Sequence, residues 1–273
     1  MLIDFHTHTF PDKIAKNAIA GLEARSGLTA CTDGTLHGLK SSMEKNQVDL
    51  SVILPVATTV SQVSSINYHA AENNTHLKET GILSFGAMHP EDPDYRKNLR
   101  WLKQQGFSGI KLHPDYQGHF FDDPLYLHIL EEAESLGLYT VVHAGIDIGF
   151  PDCVHCSPSR IATVLQTLHP THLILAHTGG WKQWDEVEDL LSDPDLYFDL
   201  SFSFGYISDE CFLRILNAHG YQHFLFGTDS PWSDPGETLA HLKGLHLPQE
   251  ALLHICYKNA LSLLGLQPGD FLP

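Results

Sequence analysis

Short apolar segments rich in Val, Ile, Leu and Phe recur along the chain, and the sequence between them has helical character. Parallel strands covered by helices on both faces have nearly continuous apolar sequences. Eight segments fit this description: residues 2–6, 48–56, 82–89, 108–113, 139–144, 172–177, 196–203 and 223–229. Eight βα units in about 250 residues match a (β/α)8 barrel. We therefore predict an α/β fold, a TIM barrel formed by residues 1–273 as a single domain, with a doubly wound open sheet as the alternative.

Helix-end signals support this alternation of strands and helices. The segment 123–136 has Pro124 near its start and Gly137 just past its end, and both residues are favoured at those helix positions. Residues 94–105 are followed by Gly106, which suits a helix C-terminus. Three further helices are predicted, over residues 35–46, 61–80 and 248–264.

The charge of the chain limits its partners. A formal net charge of −17 disfavours nucleic acid and anionic membrane surfaces, and no apolar run has the length of a membrane span. Residues 1–10 lack a basic region followed by an apolar region, so we expect no signal peptide. We predict a small-molecule substrate, and an anionic one would need a local positive centre such as a metal. A homo-oligomer is compatible with the sequence.

Cysteine usage points to a reducing compartment. Five cysteines are an odd number, which in a chain of this length predicts free thiols and a cytoplasmic protein. The segment CVHC at 153–156 has CxxC spacing, but no second CxxC accompanies it. We therefore expect a loop near the mouth of the barrel rather than a zinc knuckle.

Polar residues collect at the predicted C-terminal ends of the strands, where TIM barrels carry their chemistry. His6 and His8 end the first strand, and they share one face because side chains alternate along a strand. Residues of other strand ends meet them at the same mouth: His143, His177 and Asp229. Several imidazoles with one carboxylate and room for water are typical of a catalytic metal site, and zinc suits such ligands.

The alternative for each of these histidines is a structural role. A single histidine at a strand end is usually a hydrogen-bonded core or rim residue, and an HxH pair occurs by chance in a chain with 19 histidines. The joint placement of His6, His8, His143, His177 and Asp229 on different strand ends is what favours a metal centre.

Several motifs together resemble those of the amidohydrolase superfamily, in particular its branch related to aminocarboxymuconate semialdehyde decarboxylase. They are DFHTH (4–8), GIKLHP (109–114), VVHAG (141–145), LAHTGG (175–180) and LFGTDSPW (225–232). The resemblance implies a distorted (β/α)8 barrel with one or two divalent metal ions. It also implies metal ligation by His6, His8 and His143, a ligand or catalytic imidazole at His177, and a ligand and proton acceptor at Asp229.

Lys111, in the motif KLHP, has three interpretations. In binuclear amidohydrolases a lysine at the end of strand four is carboxylated and bridges two metals, and KLHP is similar to that arrangement. A charged contact to substrate is the second possibility. A structural ion pair with Asp229 or Asp115 is the third, because a bare buried ammonium is costly.

The predicted chemistry is hydrolysis by a metal-activated water acting on an amide, lactam, lactone or ester. Metal binding lowers the pKa of water to about 7, and Asp229 would take up and pass on its proton. The alternative is a metal-dependent decarboxylase or hydratase of an unsaturated or aromatic carboxylic acid. A non-catalytic binding module is the third hypothesis, and the intact ligand set argues against it.

Other residues near the predicted mouth are candidates for substrate contact or for supporting the metal ligands. They are His89, His113, Arg160 and Trp232, with Trp181 and Trp184 as further candidates for the pocket wall. Arg160 would meet a substrate carboxylate or else serve the start of the next helix. Plain packing is the alternative for the tryptophans.

Overall fold

A computed structural model describes residues 1–193 and 195–271 of the protein. Its strands are β1 (Ile3–Thr7), β2 (Leu50–Ile53), β3 (Ile82–Ser84), β4 (Gly86–Ala87), β5 (Gly109–Leu112), β6 (Tyr139–Val142), β7 (Leu173–Leu175), β8 (Tyr197–Asp199) and β9 (Phe224–Leu225). Each of the eight predicted segments contains a strand, and the third is divided into β3 and β4. The predicted strands were longer than the observed ones because apolar residues continue into the loops.

The strands follow one another around the sheet in the order of the sequence, and every pair is parallel. One part has the order β1-β2-β3 and the other runs from β4 to β9. The first and last strands meet: Phe5 N donates to Phe226 O (2.8 Å), and a parallel bridge joins Thr7 to Ser230. A doubly wound sheet would reverse its strand order at a switch point. The sequential order and the contact between the two ends are those of a TIM barrel.

Helices alternate with the strands. They are α1 (Asp12–Ser26), α2 (Leu36–Asn46), α3 (Val60–Thr75), α4 (Leu77–Thr80), α5 (Tyr95–Gln104), α6 (Pro114–Gln117), α7 (Pro124–Ser135), α8 (Pro158–Leu168), α9 (Trp184–Leu190), α10 (Asp209–His219), α11 (Pro235–Gly244), α12 (Gln249–Leu253) and α13 (Asn259–Leu264). A π-helical turn at His254–Lys258 joins α12 to α13, and short 3-10 turns lie at His177–Gly179, Tyr221–His223 and Pro268–Asp270.

The five predicted helices are present. The segment 61–80 forms two helices, α3 and α4, with a non-helical residue at His76 between them. Helix α7 begins as its sequence indicates: the Asp123 side chain accepts a hydrogen bond from Leu125 N, and Pro124 is the first helical residue. Gly137 follows the helix with a φ of 60°, a conformation that glycine adopts at little cost.

Apolar side chains fill the interior and hold the strands together. One cluster joins side chains of β1, β2, β3, β6, β7 and β9 to helix α13, with Phe5, Val52, Ile174 and Leu264 among its members. A larger cluster packs several other helices, among them α2, α3, α5, α7, α8 and α10, against the sheet. These contacts fix the strands, and therefore the polar residues at their C-terminal ends. None of the helices in the described ranges has the length and apolar character needed to cross a membrane.

Candidate metal centre

His6, His8 and Asp229 bring three potential ligand atoms to one point. The Nε2 atoms of His6 and His8 are 3.1 Å apart, and Asp229 Oδ1 lies 3.3 Å and 2.9 Å from them, respectively. Metal–nitrogen bonds of about 2.0–2.1 Å in a tetrahedral zinc site place ligand atoms about 3.3 Å apart. Spacing and donor chemistry therefore both fit one divalent transition-metal ion.

Both imidazoles are oriented by the ring nitrogen that faces away from this point. His6 Nδ1 donates to Asp199 Oδ2 (2.8 Å), and His8 Nδ1 donates to the carbonyl of Leu54 (2.8 Å). Such outer partners fix the tautomer, so that the Nε2 lone pair is free for a metal. Burial lowers the pKa of His6 to about 4, with the charge of Lys111 as a further cause, so the ring is neutral.

The loop after β9 is tied to β1, which positions Asp229. Asp229 N donates to His6 O (2.8 Å), and His8 N donates to Ser230 O (2.6 Å). Deeper in the barrel, Thr228 Oγ1 donates to the buried Asp4 carboxylate (2.6 Å). Although burial raises the pKa of Asp229, its close contacts with the imidazoles of His8 and His6 hold the pKa below its usual range. Asp229 is therefore ionised, as a metal ligand would be.

His143 and His177 complete the cluster that the sequence predicts. His143 Nδ1 and His177 Nε2 are 2.9 Å apart, and the ring centroids of His177 and His6 are 5.4 Å apart. His177 Nδ1 donates to Ser201 O (2.9 Å), which directs Nε2 towards His143. The structure thus brings all five predicted ligands into one group at the C-terminal ends of the strands.

A second group of metal-type donors lies on the far side of His143. His113 Nε2 and His143 Nε2 are 3.5 Å and 3.9 Å from Asp147 Oδ2, and the two rings are stacked with their centroids 4.2 Å apart. Burial raises the pKa of Asp147 to about 6. The sequence did not single out Asp147, which lies in the loop after β6.

Lys111 is buried beside the ligands. Its Nζ lies 3.3 Å from His6 Nε2, and burial lowers the pKa of the amine to about 8. Within the described part of the chain, Lys111 forms no ion pair with Asp229 or Asp115, which was one of its three interpretations. Lys111 instead faces the candidate ligand His6 directly.

A cavity of about 820 Å³ opens above the ligands. All five predicted ligands line it, together with Lys111 and His113. Its other walls are largely apolar and aromatic: they include Leu22, Tyr116, Ile146, Trp181, Phe202 and Trp232. Helix α1, which the sequence analysis did not predict, supplies one of these walls and brings Arg25 to the cavity. Ligands and apolar walls together suit an organic substrate.

Three of the candidate residues serve other contacts. Arg160 pairs with Asp122 (2.6 Å) and is not among the residues that line the cavity, where a substrate carboxylate would lie. His89 is buried outside the lining, and its Nδ1 accepts a hydrogen bond from Glu91 N (3.3 Å). Trp184 is buried, and its indole donates to His177 O (3.0 Å).

Asp199 and Ser201 contact the candidate ligands His6 and His177, and the sequence analysis did not single them out. Asp199 bonds His6 Nδ1 and accepts a hydrogen bond from His177 N (3.1 Å), while Ser201 Oγ lies 3.0 Å from each of the two Nδ1 atoms. The signal was present in the segment YFDLSFS, where a fully buried carboxylate interrupts an apolar strand. The role of Asp199 could not be predicted because nothing in the sequence indicates that its hydrogen-bond partner is His6.

A sequence profile of the amidohydrolase family matches residues 3–266. This chain belongs to the amidohydrolase family. The match covers nearly all of the barrel and all of the motifs that carried the resemblance, from DFHTH to LFGTDSPW. No curated protein sequence shows significant similarity to this amidohydrolase.

Solved structures share the fold of this amidohydrolase. A TIM-barrel protein from Bordetella bronchiseptica has 15% identity and a TM-score of 0.76, covering 97% of this chain and 99% of the other. A dihydroxybenzoic acid decarboxylase from Polaromonas, with bound manganese and the inhibitor 2-nitroresorcinol, has 16% identity, a TM-score of 0.70 and 97% coverage of both chains. A 5-carboxyvanillate decarboxylase from Sphingomonas paucimobilis has 13% identity, a TM-score of 0.68 and coverage of 97% and 99%. The predicted TIM barrel is thereby confirmed.

Proposed function

We propose that this amidohydrolase is a metal-dependent decarboxylase of an aromatic or unsaturated carboxylic acid. The observation that carries the proposal is the convergence of His6, His8 and Asp229 on the wall of a largely apolar cavity of about 820 Å³. The two decarboxylases of similar fold act on aromatic acids, and one of them holds manganese. They support decarboxylation, the alternative of the sequence analysis, over hydrolysis.

His6, His8 and Asp229 would hold the metal, with His143 Nδ1 as a further ligand. When bound, a divalent cation supplies positive charge for substrate oxygens and offsets the negative charge that builds up in the reaction. Zinc fits the two imidazoles and the carboxylate, and manganese is the second candidate because a relative of the same fold contains it.

The cavity walls favour the loss of carbon dioxide. Decarboxylation converts a charged carboxylate into a neutral gas, so apolar walls such as Trp232 and Ile146 disfavour the substrate carboxylate relative to the transition state. The C–C bond breaks, its electron pair stays on the ring or alkene carbon, and that carbon takes up a proton. We assign this transfer to Asp229, whose side chain is 14% exposed to the cavity: its carboxylate would first take up a proton from solvent and then pass it to the carbon, with His177 as the alternative.

Hydrolysis of an amide, lactone or ester is the second candidate, and Lys111 favours it. Its buried amine lies 3.3 Å from His6 Nε2, where a carboxylated lysine would bridge two cations. A two-metal centre would supply a water nucleophile, with Asp229 as the proton acceptor. The decarboxylase has no need of this modification.

Product analysis separates the two reactions. Protein purified without chelator is incubated with aromatic and unsaturated acids carrying ¹³C in the carboxyl group, and with lactones, amides and esters in H₂¹⁸O. Release of ¹³CO₂ that is lost on metal removal and restored by adding the metal is the expected result. Incorporation of ¹⁸O into an acid product, without ¹³CO₂ release from any acid, would instead establish the hydrolase.

A further inference from the structure

The loop between β6 and α8 places a cysteine and a histidine next to an aspartate of helix α6, beside the metal centre. Cys153 Sγ is 3.7 Å from His155 Nε2, and His155 Nδ1 is 2.9 Å from Asp115 Oδ1. Asp115 is 4% exposed, so its carboxylate is fixed in the protein interior. A thiol, an imidazole and a carboxylate in this order are the parts of an activated nucleophile.

The hydrogen bonds determine which nitrogen of His155 is free. Asp115 Oδ1 accepts from His155 N (3.1 Å) and from His155 Nδ1 (2.9 Å), which keeps the ring proton on Nδ1. The lone pair of Nε2 is therefore directed to the thiol of Cys153. The ring is also held by packing, because it stacks on Phe120 with the centroids 4.9 Å apart.

Cys153 differs in exposure from Cys156, the other cysteine of the same loop. Cys153 is exposed, whereas Cys156 is buried and burial raises the pKa of its thiol well above the usual value. Cys31 is the second exposed thiol. It has no histidine within hydrogen-bond distance among the described residues, and partial burial with nearby Asp234 and Glu237 raises its pKa. Cys31 is thus a natural internal control.

We propose that Cys153 is a nucleophilic thiol, activated by His155 and Asp115, that is oxidised by peroxides. The thiol proton moves to His155 Nε2, and Asp115 stabilises the resulting imidazolium. With hydrogen peroxide, the thiolate sulfur forms an S–O bond while the O–O bond breaks. The hydroxide released takes the proton from His155 to give water, leaving Cys153 as a sulfenic acid and the peroxide reduced.

His155 is the residue to change in a test. Asp115 is unsuitable because its second oxygen, Oδ2, lies 3.9 Å from His143 Nε2, so its substitution would disturb the metal centre as well. His155→Gln removes the imidazole but keeps the backbone contacts of this residue. His37→Gln is the matched control, since His37 is an exposed histidine near Cys31 in the sequence without a thiol contact.

The experiment measures alkylation of the metal-loaded protein by iodoacetamide from pH 6 to 9, with Cys153 and Cys31 followed separately by peptide mass spectrometry. We expect Cys153 to react about 10-fold faster than Cys31 at pH 7, because the His155 imidazole accepts the thiol proton of Cys153. His155→Gln should bring Cys153 to the rate of Cys31, and His37→Gln should change neither. Dimedone should trap a sulfenic acid at Cys153 after peroxide treatment of the wild-type protein.

Equal alkylation rates for Cys153 and Cys31 in the wild-type protein would overturn the proposal, even if the variant failed to fold. Unchanged alkylation of Cys153 in a folded His155→Gln protein would also overturn it. Circular dichroism and the rate at Cys31 establish whether each variant is folded. Failure to trap a sulfenic acid, with fast alkylation retained, would remove the peroxide reaction from the proposal.

Discussion

His6 and Asp199 are 193 positions apart in the sequence, and their side chains form a buried hydrogen bond of 2.8 Å. The carboxylate of Asp199 also accepts from His177 N and from the Ser201 hydroxyl, so it holds two neighbouring strand ends in register with β1. Although burial raises the pKa of Asp199, the hydrogen bond that it accepts from His6 Nδ1 keeps the carboxylate ionised, with a pKa below its usual range. Asp199 therefore sets the direction in which His6 offers Nε2.

The first prediction is that Asp199→Asn weakens metal binding about 10–100-fold, the usual effect of losing a carboxylate partner of a histidine ligand. An amide does not enforce the proton on His6 Nδ1. Competition with a chelator of known affinity measures the change. Asp195→Asn, which alters an exposed carboxylate just before the same strand, should leave the affinity unchanged. Equal affinity in the two variants would show that Asp199 does not orient the ligand.

The second prediction concerns the ligands themselves. Protein purified without chelator should contain at least about half an equivalent of a transition metal. The double variant His6→Ala/His8→Ala removes two of the three converging donor atoms, so it should lose the metal while remaining folded. Elemental analysis and circular dichroism test both statements. Full metal content in the double variant would show that the ion binds elsewhere.

The third prediction is a loss of turnover in Asp229→Asn. Asparagine keeps the shape of the side chain but neither accepts nor delivers a proton as a carboxylate does, and loss of such a group costs about 10²–10⁴ in rate. The variant is compared with wild type on a substrate from the labelled panel, after both have been brought to the same metal content. Near-normal turnover would assign the proton transfer to another residue, with His177 next to be changed.

The fourth prediction distinguishes one metal ion from two. If Lys111 were carboxylated, its carbamate would need two cations, typically about 3.5–4 Å apart, and occupancy would approach two and depend on bicarbonate. We expect one ion and no bicarbonate requirement, because the motifs resemble the decarboxylase-related branch. Reconstitution of chelator-treated protein with zinc, with and without bicarbonate, decides between them. Two ions with a bicarbonate requirement would contradict this expectation.

The fifth prediction concerns stability at acid pH. Glu134 near the end of α7 accepts hydrogen bonds from Thr171 and His172 at the start of β7. Burial raises its pKa, but these hydrogen bonds outweigh burial and lower it below 4.5. Because the folded-state pKa is depressed, the ionised carboxylate stabilises the fold above about pH 4.5, and this contribution is lost as the pH falls through the folded-state value.

Glu134→Gln should therefore lower the free energy of unfolding by about 1 kcal/mol at pH 7, and the difference from wild type should shrink below pH 4.5. Urea unfolding across pH measures it. Glu131→Gln, an exposed position on the same helix, is the matched control with little expected effect. A difference that grows on acidification would contradict the assigned sign.

Much of the barrel could be predicted because each strand has a distinct apolar sequence. The ends of the strands were less certain. The apolar segment 48–56 extends past β2, because Pro55 and Val56 line the cavity and are not part of the β-sheet. Helix α1 escaped prediction for a related reason. Its fully buried residues are only Ala15 and Ile19, and other apolar positions face the cavity, so its periodicity is weak.

The grouping of the candidate ligands could be predicted because the C-terminal ends of all strands meet at one mouth of the barrel. A residue at a strand end in the sequence is therefore expected near the other strand ends in the structure. The residues that orient the ligands could not be predicted. Asp199 is recognised only when its distance from His6 is known, and Asp147 only when the loop after β6 is seen beside His113. Arg160, interpreted from the sequence as a substrate contact or as part of the start of the next helix, lies in the first turn of α8 and pairs with Asp122.

The hydrogen bonds between β1 and the loop after β9 have a consequence for biosynthesis. Asp4 and Thr228 are 224 residues apart, so the donor set of His6, His8 and Asp229 does not exist until the ribosome has made nearly the whole barrel. A nascent chain that lacks Asp229 lacks one of the three converging donor atoms. A metal that binds the finished site and not the growing chain stabilises the finished site selectively. Metal loading at the proposed site would therefore join the first strand to the last only after translation has passed Asp229.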